Sequence, residues 1–449
     1  MQKIIVVGSG GREHAIAWRL AQSPLVQKVV CVPGNGGTCN EEKCQNVPLE
    51  EAKGLEGNPY VAIAKKEGCG FAVIGPEDPL AEGLADEFWK AGIPCVGPKK
   101  EAAQLEASKD LAKAFMKKHS VAAPYSETFT DAACAIEYVK SKGAPIVLKA
   151  DGLAAGKGVV VAKTLDEAVA AVHDLMESGR VGSAGKKLLV EEYLAGIEMS
   201  VLAAVSVTPQ SAASGKTAIR PFLPARDHKR LNDGAQGPNT GGMGAVCPLS
   251  DVTPDIMERF DKEILQPTLR GLEAEGFDYR GFIFFGVMIT KDGPKLLEYN
   301  VRLGDPETQA VLPLMDFDFA ALCAAIVDGS LKDFEMKWKN EFAVAPVAVS
   351  GGYPGSYPKG KQIYLDKDLI AKQGAKVFVA GAIADRRKEE SDFDAGDLIT
   401  SGGRVLAVCA RGQSFDEAWK KAYAAMQGVK FDGMFFRKDI GLPGAAVSE

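Results

Sequence analysis

The chain has 449 residues, 46% hydrophobic and 25% charged, a balance ordinary for a soluble globular protein and enough for about three domains. Its formal net charge of −6 offers no basic surface for nucleic acid or an anionic membrane, and no apolar run approaches the roughly 20 residues of a membrane span. Nine scattered cysteines without a C-x-x-C, and four histidines without zinc-like spacing, read as reduced thiols in a cytoplasmic protein.

Lys3 is the only charge before the first apolar run, which stops at Gly8 and is too short for a signal peptide. Over the first hundred residues strands alternate with helices. Strands are predicted at 3–7, 29–32, 71–74 and 94–96, and helices at 14–22, 60–67 and 80–91. That alternation predicts a parallel α/β sheet, with ligands at the carboxyl ends of its strands. Those ends carry Gly8-Ser9-Gly10-Gly11, Pro33-Gly34-Asn35, Gly75-Pro76-Glu77 and Gly97-Pro98. A basic helix is predicted at 108–120. A smaller α/β unit at about 124–193 holds strands 146–150, 159–162 and 188–192 and a helix at 166–177. A mixed region runs over 198–327, with a polar hairpin tip or insertion at 208–217. Strands at 344–350, 376–382 and 405–410 and a helix at 414–428 close the chain.

The motifs in this frame point to phosphate chemistry. Gly8 to Gly11 lies between a strand and a helix, where backbone N–H groups and a helix N-terminus attract an anion. A dinucleotide would need a third glycine at position 13 and an acid ending the second strand. Glu13 and Val32-Pro33-Gly34 stand there instead, which favours the phosphate of another ligand or a structural turn. The segment Lys149 to Gly158 has three residues between Gly152 and Gly156, one too few for a Walker loop. It can fold over a triphosphate as a lid, with Lys149 as fixed charge, or remain a surface hairpin. Ser214-Gly215-Lys216-Thr217 is a decoy, because Gln210 replaces the first Walker glycine.

Glu191-Glu192 to Glu198 is either a solvated strand end or a hinge that offers backbone groups to adenine and Glu198 to ribose. Asp227-His228-Lys229-Arg230 and Gly237 to Gly244 form a long polar stretch whose four glycines suit an anion cradle. His228, flanked by charges, reads as a surface residue. In Glu298-Tyr299-Asn300-Val301-Arg302, alternation along a strand would turn Glu298, Asn300 and Arg302 to one face. Two oxygen ligands suit Mg²⁺ held beside ATP phosphates, and the arginine suits phosphoryl charge. Taken alone, the pattern also fits a polar edge strand ending at Gly304-Asp305-Pro306.

Together these segments resemble the phosphoribosylamine–glycine ligase family of the ATP-grasp superfamily over essentially the whole chain. GSGGREHA at Gly8, PGN at Pro33 and GPEDPL at Gly75 match its N-terminal part. ASK at Ala107, LKADGLAAGKGV at Leu148 and LVEEYLAGIEMS at Leu189 match its nucleotide-binding part. DHKR at Asp227, GPNTGGMGA at Gly237 and EYNVRLGDPETQ at Glu298 match its core, and SGGYPG, TSGGRVLAV and FDGMFFRKDIG its C-terminal part.

The resemblance implies an α/β and α+β multidomain fold. An N-terminal parallel α/β domain (1–107) precedes an ATP-grasp domain (108–330, lid about 124–193) and a C-terminal α+β domain (331–449). It implies ligation of glycine to 5-phosphoribosylamine through glycyl phosphate, with ATP as co-substrate and Mg²⁺ or Mn²⁺. No nucleic-acid or membrane partner is implied, and monomer and homodimer both stay open. Lys109, Lys149, Gly156, Lys157, Gly158, Glu191, Glu192 and Glu198 then fall near ATP, and Glu298 and Asn300 are metal ligands. Arg302, Lys149 and Asp305 are catalytic. Gly10, Gly11, Asn35, Asp227, Lys229, Asn239 and Thr240 bind substrate. Two departures stand out. The strand 282–288 lacks the acid that many ATP-grasp enzymes carry before E-x-N, and Ala235-Gln236 replaces an acidic position before the GPNTGG loop. The alternatives are another purine-pathway ATP-grasp ligase or carboxylase, or a non-catalytic nucleotide-binding protein on this scaffold. Intact Glu298, Asn300, Arg302 and Lys149 argue against the last.

Overall fold

The run Ile4 to Val7, at most 2% exposed, is the centre of the first sheet, as expected of a strand covered on both faces. The computed structural model describes residues 2–152, 158–385 and 397–445. Five parallel strands, β1 (Gln2–Gly8), β2 (Val26–Pro33), β3 (Cys44–Asn46), β4 (Phe71–Ile74) and β5 (Cys95–Val96), lie in the order β3-β2-β1-β4-β5. The order reverses between β1 and β4, the place where open α/β sheets bind ligands. Helix α1 (Gly11–Ala21) leaves from the end of β1 there. The helix expected at 80–91 is two helices, Glu77–Glu82 and Leu84–Lys90, because Gly83 between them takes φ +96. The edge strand β3 has only three residues and no periodicity to announce it.

The small unit is an antiparallel sheet of β6 (Ser126–Phe129), β7 (Ile146–Ala150), β8 (Val159–Ala162) and β9 (Leu188–Glu192), ordered β6-β9-β7-β8. Helices Ala132–Lys142 and Leu165–Met176 back it, and its apolar residues form a cluster of their own, apart from the main core. Gly156 and Lys157 lie outside the described residues.

Next come β10 (Ile197–Val207) and β11 (Ala218–Pro221), then the short strands β12 (Arg226–Asp227), β13 (Arg230–Asn232), β14 (Gln236–Asn239) and β15 (Gly244–Cys247). The polar stretch before β11 is the β10–β11 connection and contains the helix Pro209–Ala213, capped by Thr208. The long strands β16 (Tyr279–Thr290) and β17 (Gly293–Asn300) complete a sheet ordered β11-β10-β16-β17. A short helix, α2 (Glu307–Val311), follows.

The remainder comprises β18 (Phe342–Val349), β19 (Gln362–Leu365), β20 (Lys376–Val379), β21 (Ala382–Ala384), β22 (Leu398–Thr400), β23 (Arg404–Gly412) and β24 (Val429–Lys430). β18 pairs on one side with β15 and on the other with β23, giving the sheet β12-β15-β18-β23-β20. One sheet therefore draws strands from both sides of residue 331. The main apolar cluster likewise joins residues of the first sheet, β10, β16 and β18.

Candidate active site

β17 carries Glu298 and Asn300 on one face, and the strand ends there. Glu298 sits opposite Gly286, where an added Cβ would come within 3.2 Å of the Glu298 side chain and press on it by a few tenths of an ångström. Arg302 lies two residues beyond the strand, yet its Nη2 donates to Asn300 Oδ1 at 3.1 Å. The same guanidinium is held by Glu106 Oε1 at 2.8 Å and Glu77 Oε2 at 3.2 Å. Glu106 also accepts from the Val301 N–H at 2.7 Å. Arg302 is thus anchored by two carboxylates from the first hundred or so residues and orients the amide oxygen of Asn300.

Above this floor stand four lysines. Lys149 Nζ lies 2.7 Å from Glu191 Oε2, and Lys113 Nζ lies 3.0 Å from Oε1 of the same carboxylate, outside hydrogen-bonding alignment. Lys113 also donates to the Leu297 carbonyl at 3.1 Å. Lys109 donates to the Gly152 carbonyl at 2.8 Å, and Lys229 to Glu198 Oε2 at 2.6 Å. Burial pushes the Glu298 carboxyl up, but Lys229, Lys149, Lys109 and Arg302 outweigh it and hold the group below its ordinary value. Glu298 is therefore a carboxylate at neutral pH. Burial pulls Lys149 down, but Glu191 and Glu298 reverse this and keep it charged. For Lys113 burial prevails and lowers the ammonium to about 8.

The residues expected on the adenosine side each have a partner within the protein. Glu191 is only 2% exposed and is the counter-ion of two lysines, because an unpaired ammonium there would be costly. Glu192 is exposed and accepts from the Tyr125 N–H at 2.9 Å. Glu198 is committed to Lys229. Gly158 closes the β7–β8 hairpin, its carbonyl accepting from the Ala150 N–H at 2.8 Å.

The glycine-rich loop after β1 is braced from several sides. The Gly10 N–H donates to Glu13 Oε2 at 2.6 Å, and a Cβ on Gly11 would meet Gln309 Nε2 at 2.5 Å. Asn35, expected to hold substrate, is spent on the protein. Its Nδ2 donates to the carbonyls of Ser9, Gly10 and Val379, and its Oδ1 accepts from Gly37 and Thr38. Arg12 reaches Glu13 at 2.5 Å and the Leu303 carbonyl at 3.2 Å. Asp305 accepts from Gln309 Nε2 at 2.7 Å and pairs with Arg404 at 3.1 Å.

On the other side of Asp305, the Gly242 backbone threads between Pro306 and Asp227. With φ +114, a Cβ there would lie 2.5 Å from the proline ring and 2.6 Å from Asp227 Oδ1. Asp227 Oδ1 is buried with no hydrogen-bond partner among the described residues. Burial and the nearby Glu307 carboxylate raise Asp227 well above the usual carboxylate range, and burial raises Glu307 as well. Glu307, only 4% exposed, otherwise accepts from Ser200 Oγ at 2.9 Å. Two carboxyl groups share this place, and a cation or a proton would relieve it. Thr240 folds the loop back by donating to the Lys229 carbonyl at 2.8 Å, while Asn239 is exposed on β14.

His228 corrects an expectation. It is 1% exposed rather than on the surface, its Nδ1 lies 3.2 Å from the Gly244 carbonyl, and its Nε2 accepts from the Gly441 N–H at 2.9 Å. It ties the core to the chain's last turns.

The donor set fits a hard divalent cation. Glu298 is ionised and receives no hydrogen bond from the described residues, and Asn300 presents an oriented oxygen. No three His, Cys, Asp or Glu side chains converge as a cage among the described residues, so most of the shell would have to come from phosphates and water. Lys113, Glu106, Glu77, Arg404 and Glu307 escaped the sequence reading. Glu77, Glu307 and Arg404 lay inside quoted motifs, while Lys113 and Glu106 look like ordinary helix residues in one dimension.

Comparison with known proteins covers the same ground. Residues 2–106 match the phosphoribosylglycinamide synthetase N domain, 107–308 its ATP-grasp (A) domain and 343–443 its C domain. The chain is 46% identical over 439 residues to a phosphoribosylamine–glycine ligase of Clostridium acetobutylicum, covering 98% of this chain and 99% of that protein. It is 45% identical over 440 residues to that of Neisseria meningitidis serogroup A, covering 98% of each. The crystal structure of the Thermotoga maritima phosphoribosylamine–glycine ligase superposes with a TM-score of 0.78 at 33% identity, covering 98% of this chain and all of that one. The biotin carboxylase domain of Hydrogenobacter thermophilus 2-oxoglutarate carboxylase shares the fold, with a TM-score of 0.69 at 15% identity over 97% of this chain and 91% of that one.

Proposed function

The chain belongs to the phosphoribosylglycinamide synthetase family, and on that premise we propose that it is the ADP-forming ligase joining glycine to 5-phosphoribosylamine in purine biosynthesis. The observation that carries this reading is the coincidence of full-length family membership with an ionised Glu298 and an oriented Asn300 beneath lysines. Glu298 and Asn300 would hold Mg²⁺ or Mn²⁺, which when bound supplies charge neutralisation on the ATP phosphates.

Lys149 and Lys109 contact the phosphates, and Glu191 fixes where Lys149 points. A glycine carboxylate oxygen attacks the γ-phosphorus, the bond to the β,γ-bridging oxygen breaks, and ADP leaves. Arg302 acts by its field and by orienting Asn300, its Nε and Nη2 serving Glu77, Glu106 and Asn300 while Nη1 makes only a long 3.4 Å contact with the Leu303 carbonyl. Asp227 and Glu307 receive the glycine ammonium, whose charge offsets the repulsion between the two carboxyl groups. The amine of phosphoribosylamine then attacks the carbonyl carbon of glycyl phosphate, phosphate leaves, and the nitrogen loses a proton. The lid keeps water from the acyl phosphate, and its separate apolar cluster supports independent closure.

Within the chain we assign 1–107 to the N-terminal domain, 108–330 to the ATP-grasp domain with a lid over about 124–193, and 331–449 to the C-terminal domain. The enzyme works in the cytoplasm on small molecules.

The test is ADP release from ATP and Mg²⁺ with glycine, with and without freshly generated phosphoribosylamine, and with Glu298→Ala. ADP that requires both substrates and vanishes in the variant supports the reading. ADP indifferent to glycine removes the substrate assignment.

A further inference from the structure

A cavity of about 150 Å³ lies between the last turn of α1, Lys339, and the strands β20 and β23. None of the residues placed above in the catalytic or substrate sites lines it. Every charged side chain in its wall is cationic: Arg19, Lys339, Lys376 and Arg411. That is notable in a chain of net charge −6.

The four charges are unequally balanced. Arg411 pairs with Glu341 at 2.5 Å, and Lys376 pairs with Glu41. Arg19 and Lys339 have no carboxylate at ion-pair distance among the described residues. Arg19 donates to Gln22 and to the carbonyls of Met315 and Phe317, at 2.7, 2.9 and 2.8 Å. Lys339 donates to the carbonyls of Pro313 and Met315, at 3.2 and 2.7 Å. Burial, then Arg411 and Arg19, lower the Lys339 ammonium. Burial lowers Arg19 against the more distant pull of Asp318 and Asp316. The space is roughly ten times what one water requires, enough for a small tetrahedral oxyanion with some of its hydration. Guanidinium forks and ammonium points in one wall match phosphate oxygens better than a neutral ligand.

We propose that this cavity binds a small polyvalent phosphate anion, inorganic phosphate or pyrophosphate, at a site separate from the nucleotide. Bound there, the anion clamps the carboxyl end of α1 to the C-terminal sheet. The amino end of the same helix carries Arg12 and Glu13 beside the glycine-rich loop.

Calorimetric titration of the intact chain, saturated with ADP, tests this with sodium pyrophosphate and sodium phosphate as separate probes. One site should persist under ADP and in Lys149→Met. Arg411→Gln and Lys376→Gln should each weaken it by about tenfold or more, the scale of one lost charge-assisted hydrogen bond, and Arg411→Lys should retain most of it. The stronger of the two probes identifies the anion. Thermal melting without anion checks that each variant is folded, and either glutamine variant suffices. Binding that disappears with ADP or in Lys149→Met, binding untouched by the glutamine variants, or no binding at all would overturn the proposal.

Discussion

Lys149 and Glu191 stand diagonally across the β7–β9 pair, and their charged atoms meet at 2.7 Å where both side chains are buried. Lys113 approaches the other oxygen from the helix Lys109–Lys118 of the main body, so one carboxylate joins lid to body through two cations. Losing it leaves two buried ammonium groups unpaired. Glu191→Gln is expected to lower stability by roughly 3–5 kcal/mol, read by urea denaturation. Adding Lys113→Met should recover part of the loss. If the double variant is no more stable than the single one, the shared-carboxylate account is wrong.

Lys113 gives the site a pH dependence. Its ammonium loses its proton near pH 8, well below the value of an exposed lysine. Above that pH the site has one cation fewer, so the KM for ATP is expected to rise as pH passes through about 8. Its effect on folding has the opposite sign. Between that value and about 10.4 the unfolded chain binds the extra proton, so this residue's contribution to stability increases with pH. In Lys113→Arg the KM limb should be absent, and a limb unchanged in that variant would assign it to another group.

The Asp227–Glu307 site is expected to govern glycine selectively. Glu307→Gln keeps the shape and the Ser200 contact while removing a charge. The KM for glycine should rise by roughly 10- to 100-fold, the loss of a hydrogen bond to a charged group, with the KM for ATP nearly unchanged. Equal effects on both substrates would point to a folding role instead.

His228 is held neutral, its proton affinity lowered by burial to about 3. As pH falls below about 6.5 the unfolded chain takes up a proton that the folded chain refuses, so stability declines from there to about pH 3, by on the order of 5 kcal/mol. Chemical denaturation at pH 7 and pH 5 should show this difference shrink in His228→Gln.

Local patterns in the chain carried much of this. The apolar tetrads of β1 and β4, ended by glycines, announced the parallel sheet, and the alternation through Glu298 and Asn300 announced the floor of the site. Pairings between distant residues left no local trace. Arg302 meets Glu77 and Glu106 across more than 190 positions, and His228 meets Gly441 across 213. A histidine among Asp, Lys and Arg looks exposed until a carbonyl and an N–H from two other segments enclose it.

The strand β18 sits in the middle of its sheet, hydrogen-bonded to β15 on one flank and β23 on the other. A chain cut at residue 330 would not yield a shortened enzyme. It would strip the partner from β15, bare a row of unmet backbone donors and acceptors, and invite other molecules to supply the missing strand. The three sequence stretches are consequently woven rather than strung together, and a split version of this protein should regain solubility only when both fragments are produced in the same cell.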